Sequence, residues 1–390
     1  MVDNQNKYNK QRFRILIDGI PAVLISFFLP KKKGRIILNS HFNNAFDYNS
    51  KFLFLYLLEK GYDVWYVINN DEYRNILINE YGRHFIETKS FRGKIFALRA
   101  RIWFVSAFEM PVGGIFLKMS RVIVHLTHGS LIKNVGLLEK DISLIKKIYY
   151  CFFVKTNLSY SIATSNFFVP STAGYTGLPM EKILVTGFPR NDALFSEISC
   201  NVNSLKTDDF KILYAPTWRK EADVLLFPFN DVDFQDLEKV LAENNITIYI
   251  RLHPYNEVDI NKSILSPHIK LFSTEECKEI MDVLSLFDAL ITDYSSILYD
   301  FMLLDRPLIF LPYDYEEYND KIGFAVDYEA ITPGYKPKTY TEFKNAVLNS
   351  RYDDSYQSIR KSVCSLCNEH RDENSSRLLK VLKEKNIKGL

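Results

Sequence analysis

Residues 290–313 constrain the fold of this chain more than any other stretch. Apolar runs at 289–291 and 308–311 flank a polar turn at 292–296 and an apolar stretch of helical length at 297–304. A strand, a helix and a second strand in this order form a βαβ unit, which indicates a parallel sheet. Ligands of such sheets bind beyond the carboxyl ends of the strands, so the turn is the first candidate for a binding site.

The turn contains Asp293, Ser295 and Ser296, and both serines lie at the expected start of the helix. Unpaired backbone N–H groups at a helix start attract anions such as phosphate. Asp and Ser are also favoured there as N-caps for purely local reasons. On the turn alone, capping is the simpler interpretation, and an anion site needs support from other segments.

Length and composition indicate a globular chain with two domains. The 390 residues exceed one ordinary core, and a hydrophobic fraction of 47% can fill two. The net charge of +2, with scattered Lys and Arg, gives no sign of nucleic acid binding. Five cysteines without a secretory leader indicate a reducing compartment. Cys364 and Cys367 form a CxxC without a second ligand pair, so we interpret them as two thiols on a helix face.

The segment at residues 1–34 predicts association with a membrane surface. Residues 15–29 are mostly apolar, but Asp18, Gly19 and Pro21 interrupt them, and the run is shorter than the roughly 20 residues of a spanning helix. Basic residues flank it on both sides: Lys7, Lys10, Arg12, Arg14, Lys31, Lys32, Lys33 and Arg35. This pattern is typical of an amphipathic segment lying on an anionic membrane, with a buried core helix as the alternative.

Downstream of this segment, strands and helices alternate in two successive sets. The predicted strands lie at 35–39, 63–68, 102–105, 122–126, 210–215, 246–252 and 269–272. A polar stretch at 201–209 separates the sets, which indicates a domain boundary near residue 200. We therefore predict two doubly wound, Rossmann-like α/β domains at 35–200 and 201–372, followed by a C-terminal helix at 373–390. The chain contains neither a GxGxxG loop nor a P-loop signature, which argues against a dehydrogenase or a P-loop nucleotidase.

Polar residues follow several predicted strands. His128, Gly129 and Ser130 come after the strand at 122–126, and Lys133 lies three residues beyond Ser130. A histidine can act as a base near neutral pH, glycine allows close backbone approach, and a hydroxyl with a lysine can clamp a phosphate. A structural histidine beside a turn glycine explains the same residues equally well.

The second set supplies Thr217 and Arg219 after its first strand, and Arg251 and His253 around the end of its next strand. An arginine fork grips phosphate oxygens well. A core carboxylate is the alternative partner for Arg251. These residues extend the candidate site to three strand ends of one predicted sheet.

Together these segments resemble the CDP-glycerol glycerophosphotransferases, the family that builds teichoic acids and related phosphopolyol polymers, including capsules. The matching segments are HGSLIK at 128–133, TGFPRND at 186–192, YAPTWR at 214–219, RLHP at 251–254 and TDYSSILYDFMLLDRPLIFLPYD at 292–314. Weaker matches are GFAVDYEAITPG at 323–334 and EHRDENSSR at 369–377. The resemblance covers the chain from about residue 35 to its C-terminus.

The resemblance implies a GT-B-like fold, in which an N-terminal acceptor domain and a C-terminal donor domain face a cleft. A return of the C-terminal helix to the first domain is a feature of other folds of this type. The resemblance also implies transfer of glycerol phosphate from CDP-glycerol to a hydroxyl of a lipid-linked saccharide or polyol-phosphate acceptor, with release of CMP. The enzyme would be a peripheral protein of the cytoplasmic face of the cell membrane, with no cofactor and no required metal. Asp231 and Asp233 form a DxD pattern, but they precede a predicted helix at 234–241 and are better explained as its cap.

The motifs of the family also imply roles for individual residues. His128 is expected to be the general base toward the acceptor hydroxyl, and His253 to bind the pyrophosphate or stabilise charge on it. Gly129, Ser130 and Lys133 are expected to form a clamp for the acceptor or a phosphate. The residues expected to hold the donor phosphates and nucleotide are Thr217, Arg219, Asp293, Ser295, Ser296, Ser376 and Arg377. For Asp293, a helix-capping role remains the alternative.

Two segments depart from the pattern of the family. Ser130, Leu131 and Ile132 stand where a Thr-Pro-Leu sequence is usual, and Asp372-Glu373 replaces Asp-Gly, which loses a turn glycine.

Three alternative functions remain for the chain. They are a CDP-ribitol ribitolphosphotransferase, a GT-B nucleotide-sugar glycosyltransferase and a non-catalytic assembly factor.

Overall fold

The computed structural model describes residues 17, 20–21, 24–198, 202–219, 224–252, 257 and 260–387. The chain divides into two compact units. Unit 1 comprises the chain up to Ser130, Val135–Asp192 and the chain from Glu369 onward, and unit 2 comprises Leu131–Asn134 and Ala193–Asn368. The chain therefore passes into unit 2 within the HGSLIK segment, and again after Asp192. The boundary that the sequence predicts lies near residue 200.

Unit 1 is built on a parallel sheet. Its strands are β1 (Lys32–Asn39), β2 (Asp63–Val67), β3 (Phe85–Ile86), β4 (Ala100–Val105), β5 (Val122–His125), β6 (Tyr160–Ala163) and β7 (Ile183–Val185). They lie in the order β3-β2-β1-β4-β5-β6-β7. Ile36, Ile37 and Leu38 on β1 are fully buried, because a parallel sheet is covered on both faces and its central strands are apolar throughout.

Unit 2 contains a second parallel sheet, which includes the predicted βαβ unit. Its strands are β8 (Phe210–Tyr214), β9 (Ile246–Ile250), β10 (Ile269–Leu271), β11 (Ala289–Thr292) and β12 (Leu308–Phe310), in the order β10-β9-β8-β11-β12. Leu290 of β11 lies opposite Leu308 of β12 in parallel register. The order reverses between β8 and β11 here, and between β1 and β4 in unit 1. Such reversals are where open α/β sheets bind ligands.

Helices lie between these strands and after β12. They are α1 (Tyr48–Glu59), α2 (Asp71–Tyr81), α3 (Phe91–Leu98), α4 (Leu144–Tyr149), α5 (Val169–Thr176), α6 (Phe234–Glu243), α7 (Ile297–Met302), α8 (Tyr315–Lys321), α9 (Tyr340–Tyr352), α10 (Gln357–Cys367) and α11 (Asn374–Glu384). Asn70 and Ser90 cap α2 and α3 through their side chains. Asp233 accepts from the N–H groups of Gln235 and Asp236 at the start of α6, so the capping interpretation of the DxD pattern is confirmed.

The core of unit 1 is completed by the C-terminal helix. Leu378, Leu379 and Leu382 of α11 are buried in the same cluster as Leu53 and Leu57 of α1. The predicted N-terminal membrane segment lies largely outside the described residues, although the described side chain of Phe28 is 89% exposed. Among the described residues, no helix combines the length and the apolar character needed to cross a membrane.

Candidate functional site

The sheet reversal of unit 2 brings together three of the predicted donor-binding residues. Thr217 and Arg219 follow β8, and Asp293 follows β11. The Thr217 N–H donates to Asp293 Oδ1 at 2.7 Å, and Arg219 Nη1 donates to Asp293 Oδ2 at 2.8 Å. Arg219 Nη1 also donates to the Thr217 carbonyl at 3.0 Å. The site therefore lies where the topology alone would place a ligand.

Arg219 also reaches Asp314, a residue that the sequence motifs did not single out. Its Nε and Nη2 donate to the two carboxylate oxygens of Asp314, each at 2.8 Å. Asp314 follows β12, so the Arg219 guanidinium links the carboxyl ends of β8, β11 and β12. Its hydrogen bonds join charged groups, and those to Asp314 are bidentate, which makes them among the strongest in proteins. The Arg219 side chain is only 7% exposed. Its predicted contact with phosphate stays a prediction, and what the structure shows is a bracing role.

The surroundings of Arg219 hold both partners of this ion pair in their charged forms. Burial alone lowers the pKa of Arg219, but its hydrogen bond to Asp314 and the charge of Asp293 outweigh burial and raise the pKa. Burial likewise raises the pKa of Asp314, and the hydrogen bond from Arg219 overcomes this, so the pKa lies below its usual value. The Tyr294 hydroxyl donates to Asp314 at 3.0 Å. Asp314 could have been found by the rule that polar residues just beyond a strand end are candidates.

Lys133 belongs to this site rather than to the unit that holds His128. The segment around it pairs with unit 2, because the Ala325 N–H donates to the Ile132 carbonyl and the Asn134 N–H donates to the Gly323 carbonyl, both at 3.0 Å. Burial lowers the pKa of the Lys133 ammonium, the nearby charge of Asp293 offsets this in part, and Arg219 lowers the pKa further. Within the described residues, Lys133 Nζ makes no hydrogen bond. The ammonium is thus close to the Arg219 network and available to a ligand.

The capping interpretation of the polar turn does not hold for its side chains. Ser296 is the N-cap of α7 by position, but its hydroxyl makes no capping hydrogen bond. The Asp293 carboxylate accepts from Thr217, Arg219 and the Tyr294 N–H instead of from the helix. Thr217 Oγ1 is buried without a hydrogen-bond partner among the described residues. The turn is therefore tied to β8 and leaves hydroxyl groups available beside it.

In unit 1, His128 lies beyond the carboxyl end of β5 and is exposed. Its ring centroid is 6.1 Å from that of His41 and 5.8 Å from that of Tyr48. Its backbone carbonyl accepts a hydrogen bond from Arg190 Nη1. His41 follows β1 at the sheet reversal of unit 1, so two imidazoles stand near each other at the predicted base position. Sequence analysis missed His41, although its place just after the first strand was a signal.

The loop that carries His128 is fixed from two sides. Asn49 Nδ2 donates to the carbonyls of Leu126 and Thr127 at 2.9 and 3.0 Å. The buried Ser130 hydroxyl is hydrogen-bonded to Thr164 Oγ1 at 3.0 Å. Gly129 and Ser130 therefore belong to unit 1 and Lys133 to unit 2, so the predicted clamp is divided between the units.

A third histidine, His125, lies on the strand that precedes this loop. His125 on β5 is fully buried, its ring stacks on Phe108 at 4.7 Å between centroids, and its Nδ1 lies 3.2 Å from Ser161 Oγ. Burial, together with the charge of His128, lowers the pKa of His125 to about 3. His125 is therefore neutral at physiological pH and is buried behind the position that His128 and His41 occupy beyond the strand ends.

Ser376 and Arg377 lie on α11 in unit 1, whereas the other predicted donor residues belong to unit 2. Asp192 accepts from the N–H groups of Asn374 and Ser375 at 2.8 and 2.9 Å, and so caps this helix. Arg377 Nη1 donates to the Asp372 carbonyl and to Asn374 Oδ1, each at 3.0 Å. A donor-binding role of Ser376 and Arg377 stays a prediction.

His253 lies outside the described residues, so its predicted role stays a prediction. Arg251 donates to the carbonyls of Cys277 and Phe272 at 2.6 and 3.3 Å, so the partners that it shows are backbone groups rather than a core carboxylate. Within the described residues, no three His, Cys, Asp or Glu side chains are arranged to hold a metal ion.

A model of one protein family, described as CDP-glycerol:poly(glycerophosphate) glycerophosphotransferase, matches residues 22–383. The chain belongs to this family. Curated relatives include the teichoic acid ribitol-phosphate polymerase TarL of Staphylococcus aureus, 26% identical over 84% of this chain and 58% of TarL. A teichoic acid glycerol-phosphate transferase of the same species is 28% identical over 86% of this chain and 90% of the relative. The chain spans 58% of the length of TarL and 38% of that of TarK, another teichoic acid ribitol-phosphate polymerase of S. aureus, so it matches only part of these longer polymerases.

Solved structures extend the likeness to the fold. A variant of the wall teichoic acid polymerase TagF, soaked with CDPG, superposes with a TM-score of 0.71 at 19% identity and covers 98% of this chain and 94% of its own. MnaA of S. aureus, in a co-structure with UDP, gives a TM-score of 0.53 at 13% identity over 90% of this chain and 97% of its own. With the two parallel sheets, these likenesses confirm the predicted GT-B-like class of fold.

Proposed function

We propose that the chain is a CDP-glycerol glycerophosphotransferase of teichoic acid or related polymer synthesis. An acceptor hydroxyl attacks the β-phosphorus of CDP-glycerol and loses its proton to His128. The new P–O bond forms as the bond between that phosphorus and the CMP oxygen breaks, and CMP leaves with the electron pair. Such a transfer depends mainly on positioning and on neutralising charge at the phosphoryl oxygens.

The observation that carries this proposal is the set of donor groups at the sheet reversal of unit 2. Lys133 Nζ supplies a positive charge, and the hydroxyls of Thr217, Ser295 and Ser296 supply further donors. The Arg219 ion pairs hold the three strand ends around them. A pyrophosphate needs this combination of a cation and several short donors on a rigid frame. Because Lys133 supplies the charge, we expect transfer to continue after chelation of divalent metals.

The donor can be identified by the nucleotide that is released. Purified full-length protein should release CMP from CDP-glycerol in the presence of a membrane extract as the source of acceptor. Release of UDP from UDP-sugars without release of CMP would contradict the proposal and favour a nucleotide-sugar transferase. Inactivity with every activated polyol would favour a non-catalytic assembly factor.

CDP-ribitol is the second candidate donor. TarL, which matches 84% of this chain, is a ribitol-phosphate polymerase, whereas the family description and the S. aureus glycerol-phosphate transferase favour glycerol. Competition between equal concentrations of the two donors, followed by the mass of the product, decides between them. Either outcome preserves the phosphotransferase reaction.

We also propose that the acceptor is lipid-linked and that the enzyme works at the cytoplasmic face of the membrane as a peripheral protein. The basic and apolar residues of the segment at 1–34 support this proposal, and Leu24, Phe27 and Phe28 are among its described, exposed apolar residues. Flotation of the full chain with anionic vesicles, compared with a chain lacking residues 1–33, tests the contribution of the segment. Equal flotation of the two proteins would contradict it.

A further inference from the structure

Helix α8 and the loop that follows it form an open pocket in unit 2. The pocket has a volume of about 410 Å³. Three aromatic residues and two polar residues dominate its lining: Tyr315, Phe324, Tyr328, Asn319 and Asp327. The residues expected to bind the donor or the acceptor are other residues, so this pocket has no ligand assigned to it so far.

The three aromatic rings form one wall of the pocket. The rings of Tyr315 and Phe324 stack with 5.4 Å between their centroids, and the Tyr328 ring lies 5.6 and 5.1 Å from them. Tyr328 is 1% exposed, and its hydroxyl donates to the Asp293 carbonyl at 3.1 Å, which fixes the base of the wall. The face of an aromatic ring carries partial negative charge and attracts a cation within about 6 Å of the ring centroid. The wall is therefore a preformed surface for a cation.

The same wall adjoins the Arg219 network. The Tyr294 ring lies 5.5 Å from the Phe324 ring and 5.4 Å from the Tyr328 ring between centroids. The Tyr294 hydroxyl donates to Asp314, which is the bidentate partner of Arg219. Tyr294 thus joins the pocket to the network at the sheet reversal through a single side chain.

Carboxylates lie around the Tyr315 ring. Burial raises the pKa of Tyr315, and the charges of Glu329, Glu316 and Asp327 raise it further, so these three carboxylates are close to the phenol. Lys336 neutralises Glu329 at 2.8 Å. In the part of the chain that the structure describes, Glu316 and Asp327 take part in no ion pair. The border of the pocket therefore keeps two uncompensated negative charges.

The Asp327 side chain has one oxygen to offer to a ligand. Its Oδ1 accepts from the N–H groups of Glu329 and Ala330 at 3.1 and 3.4 Å, which holds the carboxylate in place. Its Oδ2 makes no hydrogen bond to any described residue. A fixed carboxylate with a free oxygen beside aromatic ring faces is suited to a positively charged hydrogen-bond donor.

The charge of the segment excludes an anionic ligand. Residues 315–336 contain five acids and two bases: Glu316, Glu317, Asp320, Asp327, Glu329, Lys321 and Lys336. A phosphate or a nucleotide in this pocket would meet like charges and the negative ring faces, which both oppose binding. A cation gains from both, whereas a neutral polyol gains from neither.

We propose that this pocket binds an organic ammonium group, primary or quaternary, between the aromatic wall and the carboxylates of Asp327 and Glu316. Aromatic faces and carboxylates together are the usual recognition of such groups. The ammonium group belongs either to a free amine or to a substituent of the acceptor. Binding at this pocket needs no CDP-glycerol, so the proposal does not depend on the proposed transfer reaction.

The test compares ligands of equal shape and different charge. Saturation-transfer NMR with the full chain measures the binding of choline, of ethanolamine and of 3,3-dimethyl-1-butanol, in which a carbon atom replaces the charged nitrogen of choline. We expect saturable binding of both amines and binding of the neutral alcohol that is weaker by roughly tenfold or more. Choline that competes with the acceptor in CMP release would assign the ammonium group to the acceptor, and choline that binds without competing would assign it to a free amine.

Two variants locate the binding in this pocket. Asp327→Asn keeps the Oδ1 acceptor and removes the charge, and Tyr315→Leu removes one ring, so each should weaken choline binding by roughly fivefold or more. The matched control is Glu317→Gln, which removes one charge from the same helix at a side chain that is paired with Lys321. The control should bind choline as the unchanged protein does, and thermal midpoints check that all three variants are folded.

Several results would overturn the proposal. They are no binding of either amine, equal binding of choline and the neutral alcohol, and choline binding that neither Asp327→Asn nor Tyr315→Leu weakens. Binding of glycerol or ribitol without binding of choline would show a polyol site instead. These measurements contain no donor, so their failure leaves the proposed phosphotransfer untouched.

Discussion

Replacing Lys133 by Met should weaken binding of the donor without destabilising the free protein. The Lys133 ammonium is buried enough for its pKa to fall, and it has no hydrogen bond within the described residues. A buried charge without a hydrogen-bonded partner costs free energy in the folded state. We therefore expect Lys133→Met to leave the thermal midpoint of the free protein unchanged or to raise it.

The same change should weaken binding of the donor. A hydrogen bond between charged groups contributes about 1.5–3 kcal/mol, and this corresponds to a loss of roughly 10- to 150-fold in affinity. Titration calorimetry with CDP-glycerol measures the loss, and thermal shift with and without the donor measures both effects together. The matched control is Lys321→Met, which removes an exposed lysine of unit 2 that is paired with Glu317.

The protonation of Lys133 gives an independent check. A bound phosphate favours the charged ammonium and raises its pKa, so binding takes up a proton when the pH exceeds the lowered pKa of the free protein. Donor affinity should therefore fall as the pH rises through that range, and calorimetry in buffers of different ionisation enthalpy should detect the uptake. If Lys133→Met binds CDP-glycerol within a factor of three of the unchanged protein, or if its free form is destabilised, this interpretation of Lys133 is wrong.

Three further predictions concern the residues around the two sheet reversals. Asp314→Asn removes one of the two carboxylate partners of Arg219 and should lower the free energy of unfolding, measured in urea, by about 2 kcal/mol. Glu317→Gln removes one partner of an exposed ion pair and should lower it by less than about 1 kcal/mol. Equal losses would contradict a bracing role of Arg219. His128→Ala should lower kcat about 100-fold or more with little change in KM for CDP-glycerol, and His84→Ala should not; unaltered turnover would exclude His128 as the base. His125 has its pKa lowered from 6.5 to about 3, so between these values the unfolded chain binds a proton that the folded chain does not. Stability should therefore fall on acidification below pH 6.5, by at most about 1.4 kcal/mol per pH unit, and His125→Phe should remove this dependence in denaturation curves from pH 7 to 4.

The fold could be predicted from apolar runs because most strands are buried on both faces. The run at 308–311 predicted β12 within a residue, and the stretch at 297–304 predicted α7 with its end two residues too late. The short strands β3, β6 and β7 were missed. Runs of two to four residues are too short to show a period, and only pairing with neighbours makes them strands.

The site was predictable where a residue follows a strand, and unpredictable where a tertiary contact assigns its role. Thr217, Arg219 and Asp293 follow strands and meet as the topology requires. The sequence could not show that Asp314 neutralises Arg219, because the two are far apart in the chain. It also could not show that Lys133 belongs to unit 2, since the long segments before and after residues 131–134 belong to unit 1.

The placement of α11 has a consequence for the order in which this protein folds. Leu378, Leu379 and Leu382 belong to the core of unit 1, yet they follow all of unit 2 in the chain. During synthesis, the ribosome completes unit 2 before it releases the side chains that unit 1 needs. Domains usually fold in the order of synthesis, but here the unit that starts the chain finishes its core last. Until then, the apolar side chains of α1 that contact α11, among them Leu53 and Leu57, are exposed to other chains and to chaperones.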